Sequence, residues 1–158
     1  MKSYLDKESI DNKDILYRLL QYSLYEESLY DGNEINNEGL FDYKYFDLYF
    51  TEANRDAFFI REEKSNKLLG FVMINTYLQK NTNGHSIAEF MVLPKYRKNK
   101  IGTFIANTCF EMYKGNWEVS PSLGSKEAYN FWKKVIDDYT DNNYQFIDGI
   151  FIFNNEEW

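Results

Sequence analysis

Apolar residues change their spacing several times along the chain, and each change marks an element. Asp11 or Asn12 can cap a helix in which Ile15, Leu16, Leu19, Leu20 and Leu24 recur near helical spacing, and the pattern fades before Gly32. Residues 33–39 are a polar connection. The aromatic run 42–50 suits a short helix, a strand or an aromatic-lined loop. Residues 57–61 and 68–74 are two apolar runs joined through Lys64, Ser65, Asn66 and Lys67, which predicts a hairpin. Residues 81–84 then turn the chain into a third strand over 86–93. Local connections alone make these three an antiparallel meander.

Beyond Pro94 the period lengthens. Ile101, Phe104, Ile105, Thr108, Cys109 and Met112 predict one face of a helix that lies on the sheet, and Gly115 and Asn116 stop it. Residues 117–119 suffice for a short strand. Because a helix connects it to the third strand, it is expected to pair parallel to that strand by a right-handed crossover. A further helix is predicted over 126–138, with Ala128, Phe131, Trp132, Val135 and Ile136 on one stripe, and residues 145–153 read as a last strand broken at Asp148 and Gly149. The expected fold class is α+β, an α/β sandwich with a mixed central sheet and helices on both faces, formed by residues 1–158 as one domain.

Composition narrows the function. Hydrophobic residues make up 44% and aromatics 19% of the 158 residues, which excludes a disordered chain. The formal charge of -7 argues against a partner held by its phosphate backbone, so no nucleic acid is expected. Cys109 is the single cysteine and sits in an apolar helical pattern, where it reads as a core residue. An intrachain disulfide is therefore impossible, and one cysteine with one histidine gives no zinc-ligand spacing. A polar amino terminus and the lack of a bilayer-length apolar stretch predict a cytoplasmic protein with no membrane partner.

Against this acidic background, Lys95, Arg97, Lys98 and Lys100 cluster between the third strand and the following helix. Strand, basic loop and helix start, in that order, suit a phosphorylated cofactor: the first N–H groups of a helix lack intrahelical acceptors and can meet phosphate oxygens. A solvated turn bearing ordinary surface lysines is the plain alternative.

Residues 97–102, Arg-Lys-Asn-Lys-Ile-Gly, resemble the acetyl-CoA-binding signature of the GCN5-related N-acetyltransferases, in which Gln or Arg is followed by two residues of any type, Gly, any residue, and Gly or Ala. Arg97 and Gly102 match the outer positions, Val92 and Pro94 match the preceding strand, and Lys100 replaces the first glycine. The likeness extends over residues 58–153. It implies an acyl-CoA N-acyltransferase-like fold and acetyl-CoA as co-substrate, held where the third and fourth strands splay. It further implies that N–H groups of Lys98, Asn99, Lys100, Ile101, Gly102 and Thr103 meet the pyrophosphate, with Arg97, Lys98 and Lys100 adding charge. The backbone of Met91, Val92 and Leu93 would polarise the thioester. Ser125 stands near a position that contacts the pantetheine arm in relatives, although capping the last helix serves it equally. Trp132 stands where the family commonly carries a tyrosine acid, leaving Tyr129, or more remotely Tyr139, as the substitute.

Direct acyl transfer to an amine fits best, since neither a serine triad nor a cysteine-histidine pair supports a covalent intermediate. Glu89, in an apolar strand beside the expected thioester, is the candidate general base, with a pKa that burial would raise; an outward-facing strand residue is its plain alternative. His85 at a turn and Glu118 on the fourth strand read more simply as solvated groups. The reading is an N-acetyltransferase that moves acetyl from acetyl-CoA to a primary amine of a small molecule or peptide. A non-catalytic acyl-CoA-binding or sensing module and a self-associating protein of the same fold stay open, and a homodimer is compatible with the apolar content.

Overall fold

In the computed structural model, residues 1–156 are described. One mixed sheet carries seven strands, β1 Ser3–Lys7, β2 Arg55–Glu62, β3 Leu68–Asn75, β4 His85–Val92, β5 Asn116–Val119, β6 Gln145–Ile147 and β7 Ile150–Asn154, in the spatial order β1-β2-β3-β4-β5-β7-β6. The helices are α1 Lys13–Asp31, α2 Ile101–Met112 and α3 Lys126–Thr140. Among the described residues only β4 and β5 pair in parallel, as the helical crossover between them requires.

Two elements differ from the expectation. The meander has a fourth member, since β1 pairs antiparallel with β2 from Ser3↔Glu62 to Lys7↔Phe58. Five residues of mixed polarity gave no period to find. The expected last strand is a hairpin, because Asp148 (φ 53°) and Gly149 (φ 80°) both adopt left-handed backbone and reverse the chain between β6 and β7. The aromatic run contains a short 3₁₀ segment, Phe46–Phe50, whose Phe46 and Tyr49 are buried.

Each face of the sheet has its own core. Phe59, Phe71, Met73 and Met91 pack under Leu16, Leu20 and Leu24 of α1. On the other face, Ile60, Val72, Ile87 and Val92 meet α2 and α3. The buried stripe of α2 is Ile101, Ile105, Ala106, Cys109 and Phe110, so Phe104 (55% exposed) and Met112 (38% exposed) face outward rather than inward. Phe110 turns the helix: its ring meets Trp117 and Phe153 edge-on, at 5.1 and 5.0 Å between centroids. Gly32 closes α1 in the left-handed conformation, donating its N–H to Ser28 O at 3.2 Å. Asn12 occupies the N-cap position, but its amide donates to Glu8 instead of serving as an acceptor.

Candidate active site

Pairing between β4 and β5 covers only His85↔Trp117, Ser86↔Glu118 and Ile87↔Val119. Beyond Ile87 the strands part. A cleft of about 290 Å³ opens there, bounded by α1, β4, the segment after β5 and the start of α3. A bulge in β4 sets what enters it. Met73 pairs with Glu89 and Ile74 with Ile87, so Ala88 is the extra residue. As a result Ile87 and Phe90 both face α2 and α3, whereas Ala88 faces α1. Glu89 turns the same way and meets Glu27. The cleft therefore passes through the sheet, acidic on the α1 face and aromatic on the α3 face.

Glu89 and Glu27 form a hydrogen-bonded carboxyl pair. Burial, then the neighbouring Glu27 and Asp31 carboxylates, push the Glu89 pKa well above its ordinary value; Glu27 is raised too, chiefly by burial. Among the described residues, Glu89 Oε1 is buried without a hydrogen-bond partner. Tyr43, close enough to feel the Glu89 charge, hydrogen-bonds Tyr49, which accepts from Asn75 Nδ2 at 3.0 Å. Sequence reasoning missed Glu27, Tyr30 and Asp31 of α1, which line the cleft. A signal existed. Glu27 and Asp31 are like charges at i,i+4 near a helix carboxyl end with no basic residue in its last turn, which is unfavourable for an isolated helix.

The backbone donors expected at the thioester divide by strand alternation. Leu93 N–H is donated to Leu69 O at 2.8 Å, and Met91, two residues earlier and paired with Phe71, faces β3 likewise. Val92 N–H faces the splayed side. Its carbonyl accepts from Arg97 Nε at 2.7 Å. The Arg97 guanidinium also pairs with Glu26 of α1 at 2.9 Å, which ties the loop to the helix carrying Glu27.

Lys98 (φ 68°) and Lys100 (φ 62°) both take the left-handed conformation. The position where the signature has its first glycine thus keeps the glycine-like backbone with a lysine in it. Among the described residues, the N–H groups of Lys98, Asn99 and Lys100 donate to no protein acceptor, and Ile101, Gly102 and Thr103 open α2 just beyond them. These donors fit an anion. A Cβ on Gly102 would come 2.9 Å from Phe131 Cε1, so the last glycine serves the seating of α2 on α3.

On α3, Trp132 lines the cleft and stacks edge-on against Phe90 at 4.9 Å. Ser125 caps the helix, its Oγ accepting from Ala128 N–H at 3.1 Å. Tyr129 points elsewhere, with its ring against Phe146 and Phe151 of the β6–β7 hairpin at 5.4 and 5.7 Å. Tyr139 hydrogen-bonds Glu111 and Asn155. His85 is half-buried, stacked on Tyr113 at 4.1 Å, and burial lowers its pKa. Glu118 is buried rather than solvated: its carboxylate accepts from the N–H groups of Gln79, Lys80 and Asn81 and fixes the loop between β3 and β4. Among the described residues, no helix is long and apolar enough to cross a membrane.

A mixed α+β sheet that splays at its parallel pair, with a helix amino terminus beside the gap, is the acyl-CoA N-acyltransferase architecture. The acetyltransferase (GNAT) family model matches residues 21–136, and the chain belongs to that family. Its fold is similar to that of an acetyltransferase from Thermus thermophilus, with TM-score 0.68 and 9% identity over 98% of this chain and 97% of that one. Arabidopsis thaliana NAA60, solved with a bisubstrate analogue, gives TM-score 0.64 and 11% identity over 99% of this chain and 100% of that one. The aminoglycoside 6'-N-acetyltransferase AAC(6')-Ih from Acinetobacter baumannii gives 0.59 and 11% over 85% and 89%. No curated protein matches the sequence.

Proposed function

We propose that the protein is a cytoplasmic N-acetyltransferase, folded as one domain over residues 1–158, that transfers acetyl directly from acetyl-CoA to a primary amine. The observation that carries this reading is the cleft where β4 and β5 part, which has Glu89 on one face and Phe90 and Trp132 on the other, with the amino terminus of α2 packed at Gly102 against the neighbouring Phe131 and Val92. Acetyl-CoA enters from the α2 and α3 side. Its pyrophosphate lies on the N–H groups of Lys98 to Thr103, with Lys98 and Lys100 supplying charge. Arg97 holds the loop to Val92 and Glu26 and exchanges Glu26 for phosphate when the co-substrate arrives. Trp132 and Phe90 form the wall along the acyl arm.

The amine enters from the α1 side and must lose a proton before it attacks. Burial raises the pKa of Glu89, so the gap opposing proton transfer from an ammonium ion narrows. The neutral nitrogen then attacks the thioester carbonyl. Val92 N–H, on the open side of β4, stabilises the oxyanion. The C–S bond breaks as the amide forms, the nitrogen releasing its second proton to solvent in the open cleft and the thiolate taking one from it, since Tyr129 lies at the hairpin.

Calorimetric titration with acetyl-CoA, followed by thiol-release assays over an amine panel, tests this. Saturable binding and amine-dependent release of one thiol per amide are expected. Binding without release from any amine would favour the sensing module instead. Charge reversal at Arg97 and Lys98 should weaken acetyl-CoA more than a fragment lacking phosphates; equal weakening would remove them from the phosphate site.

A further inference from the structure

The acidic side of the cleft exceeds what proton transfer needs. One carboxyl suffices to receive the amine proton, yet Glu27 and Asp31 line the same cleft and no Lys or Arg does. Both stand near the end of α1, so the negative pole of the helix dipole adds to their potential. Independently, Glu89 Oε1 is buried in the cleft wall without a partner among the described residues, a state that costs free energy until a donor reaches it. Among the described residues no group of three or more His, Cys, Asp or Glu is arranged to hold a metal ion. Glu27 and Glu89 sit together and Asp31 stands one helical turn further along α1, so a cation with two separated charges matches the cluster.

We propose that the acceptor is a short unbranched diamine or polyamine, one nitrogen of which attacks beside Glu89 while a second, protonated nitrogen is held by Asp31. This rests on the acetyltransferase reading above. The volume of about 290 Å³ lies at the lower end of the roughly 300–1,000 Å³ usual for ligand sites. A linear amine fits inside, whereas a multi-ring polycation would lie largely outside. Ile87, Pro121 and Leu123 give the intervening methylenes an apolar wall. Two functions thus fall to different parts of the cluster: Glu89, paired with Glu27, handles the reacting proton, and Asp31 holds the nitrogen that does not react.

The test compares 1,4-diaminobutane and spermidine with butylamine, which has the same attacking group and no second charge. With saturating acetyl-CoA, kcat/KM for the diamines should exceed that for butylamine by about tenfold or more, the effect of one charge-assisted contact. Asp31→Asn should remove most of that preference through KM, and the acid limb of the pH profile should move to lower pH because the Asp31 charge no longer raises the Glu89 pKa. Equal turnover of butylamine, or a preference that Asp31→Asn leaves intact, would overturn the proposal. Calorimetry of spermidine on the protein without acetyl-CoA separates this inference from the one beneath it. Saturable binding that Asp31→Asn abolishes, without thiol release, would sustain the diamine site and sink the acetyltransferase reading. Absence of spermidine binding both with and without acetyl-CoA would sink the diamine site.

Discussion

The Glu89 carboxyl on β4 hydrogen-bonds the Glu27 carboxyl on α1, and the pKa of each is raised above the ordinary 4.5. Two acids in contact do not both ionise readily, so the pair titrates as a unit with one proton shared between them. The bulge at Ala88 makes this contact by putting Ala88 and Glu89 on the same face of the sheet.

Replacing Glu89 with Gln should lower turnover by about 10²- to 10⁴-fold, the usual worth of a positioned acid or base, with acetyl-CoA affinity little changed. It should also change stability in a pH-dependent way. A carboxyl whose folded pKa is raised favours the folded state most fully at low pH and loses that contribution as pH climbs from 4.5 through the folded value. Glutamine has no such loss. Urea unfolding should therefore show E89Q gaining on the natural protein between pH 5 and 8. A difference that stays constant with pH would show that the carboxyl is not desolvated.

Glu118 has the opposite sign. Burial raises its pKa, but the N–H groups of Gln79, Asn81 and Lys80 outweigh that and hold it below 4.5. Its contribution is present above 4.5 and fades as pH falls through the folded value. Glu118→Gln should cost about 1.5–3 kcal/mol at pH 7, the range for hydrogen bonds to a charged group. The cost should shrink in acid. Faster amide exchange at residues 79–81 in the variant would locate the loss.

Lys100 carries a side chain in a backbone conformation that glycine takes freely, at φ 62°. A left-handed residue costs roughly 1–2 kcal/mol, and glycine gives back about 0.5–1 kcal/mol through the unfolded chain. Lys100→Gly should then stabilise by up to about 1.5 kcal/mol. Acetyl-CoA affinity should nevertheless fall, and its salt dependence should flatten, because a charge beside the phosphates is gone. Tighter acetyl-CoA binding in this variant would show that Lys100 obstructs the loop rather than serving it.

Legibility in the sequence followed the range of the interactions. The strand that becomes β4, the period change at Pro94 and the stripe of α3 are local patterns, and the parallel pairing of β5 follows from the crossover that α2 forces. What failed was longer in range. β1 has no period because its place depends on β2, fifty residues away in chain and more. Glu118 reads as solvated until the loop at 79–81 folds over it. Glu89 was legible as an acid on an apolar strand, but Glu27 and Asp31 belong to a different element, and only the bulge brings Glu89 to them. Phe104 was misplaced because its spacing fits the inner stripe, whereas the bulk of Phe110 against Trp117 decides the rotation of α2.

Gly102 shows how far the signature loop depends on the helix behind it. A Cβ there would lie 2.9 Å from Phe131 Cε1 and 3.0 Å from Cζ. Phe131 has little freedom to retreat, since its ring packs against Trp132 at 5.0 Å and Phe90 at 5.8 Å. An alanine asks the tip of the ring to move a few tenths of an ångström. A valine asks for more and displaces the first turn of α2, so Gly102→Val should cost about 1–3 kcal/mol and weaken acetyl-CoA together with stability. If the ring is the obstacle, Phe131→Ala should relieve part of that cost, and the double variant in a denaturant-unfolding cycle should lose less than the sum of the two single losses. Strict additivity would mean that the glycine is needed for its backbone alone.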